Sequence, residues 1–136
     1  MKHFTLDELT RSDAARAHHL DNTPGEAARV ALELLVARVL DPLREWWEGP
    51  VRVTSGYRSP AVNRLVGGVA SSQHCLGEAA DLTVGSRRHN RLVFEHIRLC
   101  LPFDQLIAEQ PDAEGPAWVH VSYRAGRLRR QVVGGQ

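Results

Sequence analysis

The dipeptide Gly49-Pro50 constrains this chain more than any other feature, because it separates two stretches of different hydrophobic periodicity. A helix cannot run through it. Ahead of it the signals are helical. Thr5 and Glu8 have capping-box spacing, with Phe4 and Leu9 placed as a hydrophobic staple. A second short helix is expected to start near Ser12, followed by a turn at Asp21–Asn22. Thr23-Pro24-Gly25-Glu26 is another start signal, with Thr as N-cap, Pro at the first helical position and Glu at the third. Val30, Leu34, Leu35 and Val39 then recur at helical spacing and read as a core face. Pro42 ends or kinks this helix, and Leu43 to Trp47 continue it. Trp46 and Trp47 cannot both face the core of one helix, so one is expected at the surface.

Beyond Pro50 the pattern alternates. Val51 to Thr54 and Ala79 to Val84 read as strands, as do Leu106 to Glu109 and Trp118 to Tyr123. Between the first two lies a Gly- and Ser-rich segment with a short helix around Ala61–Leu65. Ser86 is placed to cap a helix reaching about Cys100, and Arg127 to Val133 is read as an edge strand. Helices first and a mostly antiparallel sheet afterwards is the α+β pattern. A length of 136 residues, with 43% apolar and 24% charged, fits one domain over 1–136 with a core of its own.

Bulk properties exclude several function classes. The formal net charge of +1 argues against a nucleic-acid partner. No apolar run is long enough for a membrane span. The N-terminus lacks an apolar signal-peptide core, so synthesis as a soluble cytoplasmic product is expected, with release or delivery needed for any outside target. A monomer is expected. Lys2 is the only lysine among 17 basic residues, a bias that suits bidentate carboxylate binding but also follows from GC-rich coding. Cys75 and Cys100 form no CxxC pair; two free thiols are expected, with a single disulfide as the alternative.

The chemistry concentrates in three stretches, Ser55 to Ser59, Ser72 to Asp81 and Trp118 to Ser122. A catalytic zinc takes three protein ligands from His and carboxylate and keeps one position open for water. His74 and Asp81 are separated by Gly77, which permits a turn before the strand carrying Asp81. His120 would arrive from another strand, whose alternation puts Trp118, His120 and Ser122 on one face. The triad is chemically sensible, although a strand histidine is more often structural. His3, His18, His19, His89 and His96 have no partner at ligand spacing.

The wording around these residues says more. SGYRSPAVNRLVGG, SSQHCLGEAADL, FDQLIAE and WVHVSY occur in the order in which similar segments occur in the M15 family of zinc D-Ala-D-Ala carboxypeptidases. The S-x-H-x-x-G-x-A-x-D pattern is matched at Ser72, His74, Gly77, Ala79 and Asp81, and the opening FTLDELTRSDAARAHHLDNTP is also similar. The chain most resembles the small single-domain branch found in phage lysins and bacterial cell-wall hydrolases, over nearly its whole length. This resemblance implies an M15/Hedgehog-like zinc peptidase fold and hydrolysis of peptidoglycan peptides, as a D,D-carboxypeptidase or a murein endopeptidase. It implies Zn²⁺ on His74, Asp81 and His120, with Arg58 binding or polarising the substrate near the scissile bond and Ser72 contacting it.

One departure matters. Better-known members of that family carry an acidic general base three residues before the last His ligand, and here that position is Ala117. Glu109 is the candidate replacement. If it pairs opposite Trp118 in a hairpin, it shares a face with His120 at a diagonal of roughly 7–8 Å; a one-residue slip would turn it away. Asp104 is the reserve, while Glu78 and Glu114 are expected to be solvated. The missing acid also motivates a rival reading, a non-catalytic wall-binding or structural module stabilised by zinc, for which Cys75 as a fourth ligand would be the signature.

Overall fold

The structure is a computed structural model that describes residues 1–134. Five strands form one sheet in the order β1-β2-β4-β3-β5, with β1 Arg52–Ser55, β2 Ala79–Thr83, β3 Gln105–Glu109, β4 Trp118–Ser122 and β5 Gln131–Val133. Every pairing is antiparallel except β3 with β5. With the helices before and between the strands, this is the expected α+β class.

Six helices accompany the sheet among the described residues: α1 Leu6–Thr10, α2 Asp13–Ala17, α3 Glu26–Leu35, α4 Asp41–Trp47, α5 Pro60–Leu65 and α6 Arg87–Cys100. The caps behave largely as their residue types dictate. Thr5 and Glu8 close a full capping box, Phe4 and Leu9 are both buried, and the Ser12, Ser59 and Ser86 hydroxyls accept the backbone N–H three residues on. The start of α3 differs from expectation. Gly25 is the N-cap, and Thr23 instead donates its backbone N–H to the Asp21 side chain. Nor is Asp21–Asn22 a simple turn; Asn22 is a cross-brace, described below.

The buried stripe runs Leu32, Leu35, Val36, Val39, Leu40 and Leu43, while Val30 is exposed and Leu34 only half-buried. The expected face included Val30 and was therefore rotated from the true one. A widened π-helical turn, Val36–Leu40, keeps the stripe continuous into α4. It ends one residue before Asp41-Pro42, and Pro42 has no N–H for the regular ladder, so the helix is locally rewound rather than ended. The Asp41 carboxylate, buried beside it, accepts the N–H groups of Lys2 and His3 and ties down the N-terminus. Trp46 lies at the surface, stacked on His96 at 3.7 Å between ring centroids, and Trp47 packs against the core.

Alternation divides the sheet into two faces. Ala80, Leu82, Leu106, Ala108, Val119 and Val121 face the helices and form the core with the α3–α4 stripe and Val93, Phe94 and Ile97 of α6. Replacing Leu35 with Ala would cost about 2–5 kcal/mol. The intervening residues Asp81, Ile107, Glu109, Trp118 and His120 point the other way and line a cleft of about 670 Å³. The core register thus dictates what the cleft contains.

Candidate metal centre and cleft

Asp81 and His120 sit directly opposite one another on β2 and β4. His74 comes from the 3₁₀ turn Gln73–Leu76, which ends at Gly77. Gly77 has φ +73°, and a Cβ there would collide with the Ala28 carbonyl, so the chain can reverse into β2 only with glycine. The three side chains each offer a ligand atom, all within 4.8 Å of one another, and this cluster could hold a metal ion. His74 Nε2 lies 3.5 Å and His120 Nδ1 3.0 Å from Asp81 Oδ1.

The outward ring nitrogens explain why the inward ones converge. His74 Nδ1 donates to the Gly56 carbonyl at 2.7 Å, leaving Nε2 with its lone pair toward Asp81. Gly56 is itself obligatory, since a Cβ there would strike the Leu9 carbonyl. His120 Nε2 is 3.0 Å from Gln73 Oε1. The Gln73 amide nitrogen donates to Asp104 Oδ2 at 3.4 Å, so its oxygen is the end that faces His120 and accepts that proton. Asp104 is buried and gripped by a fork from Arg129, with Nε 2.8 Å from Oδ1 and Nη2 3.0 Å from Oδ2. An outer chain, Arg129–Asp104–Gln73, therefore leaves Nδ1 of His120 unprotonated in the neutral ring. Two imidazole lone pairs and a carboxylate then point at one space, an arrangement that repels itself without a cation. With no cation on the cluster the same contacts are held by protons on these ring nitrogens; in that state burial pushes the Asp81 pKa up, but hydrogen bonds from His120 and His74 outweigh this and hold its carboxyl well below the usual carboxylate range. The donor set and its outer bonds fit a divalent metal.

Glu109 pairs with Trp118, the register that was expected, and both line the same cleft as the triad. The Ala117 N–H donates to the Glu109 carbonyl, so Glu109 stands beside the position at which an acid is missing. Asp104, the reserve base, is committed to Arg129, whose hydrogen bond is the main cause of its lowered pKa. Glu114 is exposed. Glu78 departs from expectation. It lies half-buried at the cleft, where burial raises its carboxyl pKa against the pull of Arg124, whose Nε is 3.6 Å away.

Arg58 and Ser72 also line the cleft. The Arg58 backbone is held on both sides. Asn22 donates to the Tyr57 carbonyl and accepts from Ser59 N–H, and Arg58 N–H donates to the His74 carbonyl. Its guanidinium reaches the Ser72 hydroxyl only at 3.5 Å, and its Nε is buried without a partner. The Ser72 hydroxyl additionally accepts the His74 N–H, capping the turn that carries His74. Cys75 is a free thiol outside the donor cluster, and Cys100 is free and exposed. Asn22, Gln73 and Arg129 were missed by sequence reasoning. Only Gln73, lying between Ser72 and His74, carried any local signal.

Compared with protein-family profiles, residues 2–122 match peptidase M15. The chain belongs to the peptidase M15 family. That membership makes it a metallopeptidase and a hydrolase, consistent with a donor cluster at the floor of an open cleft. No curated protein matches the chain. None of the helices in the described residues is long and apolar enough to cross a membrane.

Proposed function

We propose that this M15 peptidase is a zinc enzyme that hydrolyses an amide bond in bacterial peptidoglycan peptides. His74 Nε2, Asp81 and His120 Nδ1 would hold the ion. The observation carrying this reading is the convergence of three electron-pair donors, two of them imidazoles whose outward nitrogens are already bonded to the Gly56 carbonyl and to Gln73. A zinc ion on such a set supplies a Lewis acid that acidifies water and polarises a carbonyl.

The protein's own groups do the rest. Glu109 removes a proton from the attacking water and returns it to the leaving amine nitrogen as the C–N bond breaks. Its register beside His120 and its freedom from any ion pair among the described residues support this role. Arg58, with its buried unpartnered Nε, binds the substrate carbonyl and the negative charge that develops on it. Ser72 steadies Arg58 and contributes a hydroxyl to the same wall of the cleft. Cys75 lies outside the donor cluster, which speaks against a closed four-ligand structural site.

The test is digestion of purified muropeptides with the zinc-loaded protein, read by mass spectrometry, with and without a chelator. A chelator-sensitive mass gain of one water, with release of a terminal D-Ala or an internal fragment, is expected. Intact muropeptides under both conditions would overturn the assignment.

A further inference from the structure

The connection from β4 to β5 carries four arginines, Arg124, Arg127, Arg129 and Arg130, and uses them in two different ways. Two are fasteners. Arg129 forks onto the buried Asp104 carboxylate and also donates its backbone N–H to it. Arg130 donates to the Leu101 and Arg98 carbonyls, and its guanidinium lies 4.5 Å over the Phe103 ring. The other two face the cleft: Arg124 and Arg127 both line it, and the backbone between them is closed by a turn from Arg127 N–H to the Arg124 carbonyl.

Four arginines and four carboxylates line the cleft, and they are not all paired. Asp104 is matched by Arg129, Asp81 belongs to the donor cluster with the two histidines, Glu78 faces Arg124 only at 3.6 Å, and neither Arg58 nor Glu109 has an ion pair among the described residues. Among the described residues Arg127 has no carboxylate within ion-pair distance, although its charge lowers the pKa of both Glu78 and Asp104. Its backbone sits on a loop pinned at Arg129 and Arg130, while its exposed guanidinium is left free to meet an anion. A guanidinium fork suits a carboxylate.

We propose that Arg127, with Arg124, forms a subsite for a free carboxylate of the peptide substrate, away from the scissile amide. The subsite makes the enzyme selective for acidic peptides. This inference rests on the peptidase reading and names its substrate class more narrowly. Arg127 would carry most of the selectivity, because Arg124 already shares its charge with Glu78.

The experiment uses wall stem peptides in matched pairs, each with one carboxylate outside the two residues joined by the scissile amide either free or amidated. Hydrolysis by the zinc-loaded protein gives kcat/KM for each pair, and calorimetry gives the corresponding Kd ratio. The wild type should favour at least one free carboxylate about fivefold, the scale of an exposed charge pair, and Arg127→Met should bring that ratio to about one, through KM. Equal handling of every pair by the wild type would overturn the subsite, as would a ratio unchanged in Arg127→Met. Calorimetric selectivity that Arg127→Met removes, without cleavage of any peptide, would support the subsite and overturn the peptidase reading.

Discussion

The two walls of the cleft are built on opposite principles. The floor, formed by His74, Asp81 and His120, is mostly buried, and both imidazoles are held by a second bond behind them. The rim, formed by Glu109, Arg124 and Arg127, consists of charged side chains with few or no fixed partners. The floor has the rigidity that metal coordination demands. The rim keeps the freedom needed to move a proton or meet a substrate. Rigidity is thus placed where geometry must be exact to tenths of an ångström, and looseness where a side chain must approach a changing ligand.

Mutations on the two walls should therefore separate metal binding from turnover. The largest effect is expected from the floor: His74→Ala or Asp81→Ala should abolish stoichiometric zinc uptake, measured by metal analysis of purified protein, and bring hydrolysis to background. Normal zinc content in either variant would break the contrast. On the rim, Glu109→Gln should keep the zinc and lower kcat by about 10²–10⁴-fold, as loss of a general base does; full activity would remove Glu109 from the mechanism. Behind the floor, Gln73→Leu should weaken zinc about 10–100-fold, as loss of an outer partner does, read by chelator competition. Unchanged affinity would show that the Arg129–Asp104–Gln73 chain does not orient His120.

The smallest effect concerns Glu78, at the margin between the two walls. Burial raises its folded-state pKa above the unfolded value. The unfolded chain therefore releases its proton first as pH rises, and stability falls through that window, from about pH 4 upward. Glu78→Gln should remove this fall, so its urea midpoint should gain on the wild type as pH increases. A difference that stays flat with pH would show that Glu78 does not feel the burial.

The contrast between walls also separates what local sequence could reveal from what it could not. Helix starts at Thr5, Ser12 and Ser86, the stop at Gly49-Pro50 and the reversal at Gly77 are written in adjacent residues, and they hold. So does the pairing of Glu109 with Trp118, because strand alternation leaves only two faces to choose from. The α3 face was drawn through Val30 and Leu34, whereas the buried stripe before Val36 runs through Leu32 and Leu35, a choice that helical spacing alone leaves open. The edge strand was drawn too long: Arg130 sits at φ +54°, which breaks extended backbone before β5. The bonds that steady the floor depend on residues far apart in sequence. Asp104 and Arg129 meet across 25 positions, Gln73 and His120 across 47, and Asn22 and Ser59 across 37. No spacing rule announces such pairs. Glu78 was taken as solvated for the same reason, since its burial comes from distant parts of the fold.

Zinc-edge X-ray absorption of the loaded protein reads the ligand set of the His74–Asp81–His120 site itself. A shell of nitrogen and oxygen only, at about 2.0–2.2 Å, with two imidazoles and room for water, is expected. A sulfur shell at about 2.3 Å would bring Cys75 into the site, close it with a fourth protein ligand, and contradict the catalytic reading.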